Sequence, residues 1–271
     1  MLRLFDTHTH FDVSDFDADR ILLAQKAKLV GVDALVLIGF IASRFDDLIA
    51  TQHQLISLDA APKSYLAPGL HPFYIEQHLP VYLERLEQIL INESCVAIGE
   101  IGLDTFLAQH KHPQMFQKQQ QFFSAQLELA AQYEKPVLLH IRKSHAEVIR
   151  LIKQHHFKLG GIAHAFSGGV EEAKALIKLG FKLGVTGQIT NPNAKKLYQV
   201  VRAVGAEHLV IETDCPDMTP LCCQTSTEHR TRNTPVNLPY VLAGLAHVLA
   251  MDVAQLADKV WVNSLSALRL N

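Results

Sequence analysis

What this 271-residue chain has little of narrows its class first. It has four cysteines, Cys95, Cys215, Cys222 and Cys223, and no CxxC. That excludes a zinc ribbon, a thioredoxin-type motif and a small disulfide-stapled scaffold, and it fits a reducing compartment. Long apolar runs are missing. The longest, Ala34 to Ala42, is far shorter than the ~20 residues a membrane-spanning helix needs. Met1 to Phe5 runs directly into polar Asp6 and carries no signal-peptide core, so the expected location is cytoplasmic, with no membrane partner. No Lys/Arg block appears and the net charge is −2, which excludes a broad electrostatic grip on a duplex but leaves room for a small phosphate-facing pocket. No obligate protein partner is indicated. There is no repeat, low-complexity linker or composition break, so one domain over 1–271 is expected.

What is present is an ordinary globular composition, 48% hydrophobic and 19% charged, which excludes a disordered or fibrous chain. Short apolar runs alternate with amphipathic segments. Leu2–Phe5, Ala34–Ile38, Tyr65–Pro68, Val96–Ile98, Val137–Leu139, Gly161–Ala163, Lys182–Val185 and Leu209–Ile211 read as strands buried on both faces. Helical periodicity fits 17–30, 43–58, 80–92, 113–133, 144–155, 169–179, 193–204, 236–250 and 253–262, the last with Asp252 as its N-cap. Strands alternating with helices over this length predict an α/β fold, a TIM-like (β/α)8 barrel first and an open doubly wound sheet second. Cys215 to Pro235 lacks periodicity, and a loop that long after the last strand of a barrel would lie over the catalytic face.

Histidine is abundant, with 15 residues. His53, His78, His110, His112, His155 and His156 sit in polar stretches and read as surface residues. Others stand at strand ends. The first strand leads into Asp6-Thr7-His8-Thr9-His10, and residues two apart in an extended segment share a side. The fourth strand ends at Glu100, the fifth at His140, the sixth at His164 and the eighth leads to Asp214. In a parallel barrel these ends share one rim. His8, His10, Glu100, His140, His164 and Asp214 exceed the needs of one tetrahedral site and suit two divalent ions bridged by Glu100. Imidazole and carboxylate together suit Zn, Mn, Ni or Fe, with Mg possible. Asp214 is placed to orient a metal-activated water and accept its proton.

The chain resembles the TatD family of metal-dependent hydrolases. The matching pieces are Asp6-Thr-His-Thr-His10, Gly69-Leu-His-Pro72, Gly99-Glu-Ile-Gly-Leu-Asp104, Leu139-His-Ile-Arg142, His164-Ala-Phe-Ser-Gly168, Glu212-Thr-Asp214 and Arg232-Asn-Thr-Pro235, in order over nearly the whole chain. The resemblance implies a TIM-like barrel in which His8, His10 and Asp214 hold one metal, His140 and His164 the other, and Glu100 touches both. It also implies a phosphodiesterase, a deoxyribonuclease acting on the ends of single-stranded DNA. A small phosphoester is the other substrate of that class. The alternative is an amidohydrolase-like enzyme cleaving a C–N or ester bond of a small molecule or aminoacyl group. Many such enzymes carry a lysine where this chain has Glu100. The sequence Asp214-Cys215-Pro216-Asp217-Met218 and the residues up to 231 depart from the commonest family loop.

Two further residues read as substrate contacts. His71 follows the third strand and faces the scissile phosphate or leaving group, or else is a turn residue set by Pro72. Arg142, two residues beyond His140, points toward the pocket mouth as a phosphate fork, or else is a surface arginine. Arg230, Arg232 and Asn233 are weaker candidates. Asp104 and Glu212 read as structural supports, and Cys215 lacks a partner base for nucleophilic work.

Overall fold

The computed structural model describes residues 2–226 and 229–270; positions 227 and 228 of the long loop lie outside them. Eight strands alternate with helices, and a ninth helix ends the chain. The strands are β1 (Leu4–Thr9), β2 (Val32–Ile38), β3 (Lys63–Ala67), β4 (Ile98–Asp104), β5 (Val137–Arg142), β6 (Gly161–Ala163), β7 (Phe181–Val185) and β8 (Leu209–Ile211). The helices are α1 (Arg20–Leu29), α2 (Phe45–Ile56), α3 (Val81–Asn92), α4 (Pro113–Gln132), α5 (His145–Gln154), α6 (Val170–Lys178), α7 (Lys195–Val204), α8 (Leu238–Leu249) and α9 (Val253–Ala267).

All ladders are parallel. β1, β2 and β3 pair in sequence, and so do β4 through β8. The two groups meet at two seams. Between β3 and β4 the link is a bridge of Leu66 to Cys95, a bond from Val96 N to Leu66 O at 2.8 Å and one from Gly99 N to Pro68 O at 3.0 Å. There the backbones come close: a Cβ on Gly69 would stand 2.5 Å from the Gly99 carbonyl carbon, so only glycine fits. Between β8 and β1 the link is Asp214 N to His8 O and His10 N to Cys215 O, both at 2.9 Å. The arrangement is an α/β barrel.

Strand residues divide between two apolar layers, as alternation requires. Leu4, Leu35, Leu37, Leu66, Leu139 and Leu183 pack against the helices. Phe5, Val36, Ile38, Leu138, Ile162 and Val210 fill the barrel interior. The floor of that interior is closed by the chain's end: Trp261, Leu265, Leu268 and Leu270 pack on Phe5, Tyr65 and Val96. Helix α9 therefore runs past the expected stop at 262. The polar residues of its last turns continue the helix because they are buried and satisfied. Asn263 donates to the carbonyls of Ala206 and Leu209, both at 2.7 Å, and Ser264 to that of Val260 at 2.7 Å. Asp252 caps the helix, accepting from Ala254 N and Gln255 N at 3.0 Å. No single described helix is long and apolar enough to cross a membrane.

Candidate metal centre

The ligand-bearing strands are longer than their apolar runs. β1 continues through Asp6-Thr-His-Thr9, and every residue of it is buried. β4 continues through Glu100 to Asp104. In both, pairing register shifts at the functional residue, between Asp6 and Thr9 and between Ile98 and Ile101. Such irregularities turn a side chain out of strict alternation. Here they deliver His8, His10 and Glu100 to one point above the apolar interior.

Glu100 is at the centre. Its Oε2 lies 3.1 Å from His8 Nε2 and 3.6 Å from His10 Nε2. Its Oε1 lies 2.7 Å from His140 Nδ1 and 3.2 Å from His71 Nε2. Asp214 stands opposite, with Oδ1 3.8 Å from both His8 Nε2 and His10 Nε2 and Oδ2 3.5 Å from His164 Nε2. The His8 and His164 rings stack at 3.5 Å. Three sets have all their ligand atoms within 4.8 Å of one another: His8, His10 and Glu100; His8, His164 and Asp214; and His71, Glu100 and His140. The six expected ligands thus converge on one rim. Their grouping differs from the one the resemblance implies: His164 falls with His8 and Asp214, and His71 stands beside His140.

The far side fixes the tautomer of three rings, those of His10, His140 and His71. His10 Nδ1 faces the Ile38 carbonyl at 3.2 Å, so it carries the proton and Nε2 turns a lone pair inward. His164 Nδ1 lies 2.9 Å from Glu212 Oε1, an ion-pair distance without hydrogen-bond geometry. His140 is reversed: Nε2 donates to Asp104 Oδ2 at 3.0 Å and Nδ1 faces Glu100. His71 is the exception. Its Nδ1 accepts from Phe73 N at 2.9 Å, so the neutral ring carries its proton on Nε2, the atom facing Glu100 and His140. Burial, opposed by the Glu100 charge, drops its pKa to about 4 and keeps the ring neutral. His71 is therefore a donor at this site.

The supports are themselves held. Glu212 accepts from Ala165 N at 2.7 Å and from the Thr7 hydroxyl at 3.2 Å. A Cβ on Gly184 would meet its carboxylate at 2.2 Å, so glycine makes its room. Asp6 accepts from Thr213 N at 2.8 Å and from the Thr213 hydroxyl at 2.6 Å, fixing the turn before Asp214. Asp214 itself has φ 55°, a left-handed conformation that costs a non-glycine residue roughly 1–3 kcal/mol and aims its carboxylate at the centre.

The charges also favour a cation. Burial raises the carboxyl pKa of Glu100 and Asp214, yet neighbouring imidazoles outweigh it and hold both low and ionised. Neither has a Lys or Arg partner among the described residues. Two buried carboxylates faced by imidazole nitrogens, which share protons with them here, form a donor set that fits divalent ions once those protons leave.

Several expectations need correction. His78 and His110 are buried, not surface residues. His78 Nε2 donates to the His71 carbonyl at 2.8 Å and His110 lies against Asp104 at 3.8 Å, so both stand directly behind the site. Nothing in their polar sequence contexts signals this. Arg142 is exposed and its guanidinium lies 3.6 Å above the Phe106 ring, outside the pocket beside His71. Arg232 pairs with Asp19 at 2.5 Å, and buried Asn233 donates to the Thr213 carbonyl at 2.8 Å; both brace the long loop. Burial pushes the Cys215 thiol far up, which leaves it protonated and unfit as a nucleophile.

Known proteins resemble this chain in sequence and fold. The family model described as TatD related DNase matches residues 5–269. The uncharacterized metal-dependent hydrolase YjjV of Escherichia coli K12 is 38% identical over 218 residues, 80% of each chain. The 3′-5′ ssDNA/RNA exonuclease TatD of Pectobacterium atrosepticum is 30% identical over 98% of this chain and 100% of its own. The crystal structure of E. coli YjjV superposes with a TM-score of 0.88 at 33% identity, covering 100% of this chain and 99% of that one. Both the match along nearly the whole sequence and the superposition over the whole fold lead to one conclusion: the chain belongs to the TatD-related DNase family of metal-dependent hydrolases.

Proposed function

We propose that the chain, acting as a single domain, is a two-metal phosphodiesterase that removes nucleotides from the 3′ end of single-stranded DNA or RNA. The observation that carries this is the pair of ionised, buried carboxylates ringed by His8, His10, His140 and His164, whose inward nitrogens converge on them. The named activity of the Pectobacterium relative supplies the substrate class. His8, His10 and Asp214 would hold one ion and His140 the other, with Glu100 contributing to both; His164, which the resemblance assigns to the second ion beside His140, stands nearer His8 and Asp214. Zn, Mn, Ni, Fe and Mg are the candidate ions. When bound, they supply Lewis acidity that lowers the pKa of water and offsets charge on the phosphate.

The remaining steps belong to the protein. Asp214 orients the attacking water and takes its proton. The water oxygen bonds to phosphorus as one P–O ester bond breaks, giving a phosphate monoester and a free hydroxyl. His71, with its proton held at Nε2, donates a hydrogen bond to the phosphoryl oxygen and stabilises the developing charge. Asp104 keeps His140 in the ligating tautomer.

End-labelled single-stranded DNA incubated with the protein in Mg²⁺, and separately in Mn²⁺, tests the reading. A ladder of shortened products that Glu100→Ala abolishes supports it. An uncut strand with folded, metal-loaded protein overturns it.

A further inference from the structure

A cavity of about 270 Å³ opens beside His10 and His71. One wall is aromatic. Phe40 and Tyr74 tilt together with ring centroids 5.4 Å apart, and Phe73 meets Tyr74 edge-on at 5.3 Å. Phe73 is 41% exposed, although a ring of that size is ordinarily covered. Phe40 also meets the His10 ring edge-on at 5.3 Å, which ties the wall to the centre.

The opposite wall is charged and of mixed sign. Asp15 and Asp217 face the cavity with Arg230, whose Nε lies 3.0 Å from Asp217 Oδ1. Two carboxylates against one guanidinium leave the wall net negative. An aromatic face accepts a nucleobase of any sequence. A net negative wall repels a phosphate. The volume suits one nucleoside unit and not two, being at the lower limit of small-ligand pockets.

Resting on the nuclease reading above, we infer that this cavity receives the terminal nucleoside of the strand, its base against Phe40, Phe73 and Tyr74. Asp15 and Asp217 accept hydrogen bonds from the terminal sugar hydroxyl and reject an end that carries a further phosphate. The phosphate that is cut lies at the metal centre, on the neighbouring side of His10 and His71. The pocket thereby makes the enzyme selective for a free hydroxyl end and excludes the interior of a chain, where another phosphate always follows.

Three single-stranded oligonucleotides of one sequence test this: one ending in a 3′-hydroxyl, one in a 3′-phosphate and one circular. The hydroxyl end is cut at least about tenfold faster than the phosphate end, the circle is resistant, and Asp217→Asn narrows the gap. Phe73→Ala and Tyr74→Ala each raise KM about tenfold with a smaller change in kcat. A second readout needs no turnover. With Asp214→Asn protein, a 2-aminopurine at the 3′ terminus is quenched on binding more than one placed internally, and Phe73→Ala abolishes the difference. Equal cutting of the hydroxyl and phosphate ends, or equal quenching at both positions, overturns the inference and leaves the nuclease reading intact, whereas cutting of the circle overturns both. Cleavage of none of the three, with metal-loaded protein, sinks both.

Discussion

At the floor of the barrel, Trp261, Leu265, Leu268 and Leu270 bury their apolar surface against Phe5 and Tyr65. At the rim, Glu100, Asp214, Glu212 and Asp6 are buried with no Lys or Arg paired to them among the described residues. The rim carboxylates are buried more fully than Trp261, Leu265 and Leu270 at the floor, yet the energetics of the two ends have opposite sign. The floor gains from every group removed from water. The rim loses hydration of its carboxylates and recovers part of it from hydrogen bonds and imidazoles. Burial alone therefore says nothing about whether a region stabilises a protein. Here one end stabilises the fold, and the other is held in a cation-binding geometry that the fold must support.

Substitutions at the two ends can break or sharpen this contrast. The largest effect is expected at the rim. Glu100→Gln should lower strand hydrolysis by about 10³-fold or more, while the metal-free protein melts close to the parent. Thermal scans with added Mn²⁺ should also show that the ligand-induced rise in Tm is lost. Retained turnover would remove Glu100 from the centre. At the floor the pattern should invert. Leu268→Ala leaves a cavity under the barrel and should cost about 2–5 kcal/mol in urea unfolding. Activity per folded molecule should be unchanged, and a selective loss of turnover would mean that floor and rim are coupled.

Smaller effects test the supports. Asp104→Asn removes the acceptor that holds His140 Nε2–H and should weaken metal binding by about 10–100-fold, read by calorimetric titration. Affinity equal to the parent would make the His140 tautomer independent of Asp104. The smallest effect belongs to the start of the plug helix. Asp252→Ala frees the amides of Ala254 and Gln255 and should cost about 1 kcal/mol without touching metal affinity.

The helices and the apolar strands were legible because a single physical cause, burial of one periodic face, shapes them. β6 and β8 stand where their apolar runs placed them, Gly161–Ala163 and Leu209–Ile211. β1 and β4 were only half legible. Their apolar runs stop at Phe5 and Ile98, but the strands continue through buried polar residues held by side-chain bonds from elements far along the chain. The candidate ligands could be named because they stand where the apolar runs end. How they group could not, since it depends on register shifts at Asp6–Thr9 and Ile98–Ile101 that no local pattern encodes. His78 and His110 were missed for a related reason. Each lies in a polar segment that folds back beneath the rim, where a backbone carbonyl and a carboxylate wait for it.

The seam between β8 and β1 has a consequence for the order of events in folding. Asp6 and Thr213 are 207 residues apart, and their hydrogen bonds join the first strand to the turn after the last. Contacts so distant in sequence carry a large loop-closure cost and form late. Because His8 and Asp214 flank that seam, a chain that has not closed it keeps these two side chains apart. Capture of the ions then becomes a checkpoint for topology: a molecule that has not closed its ring has no competent site to arm.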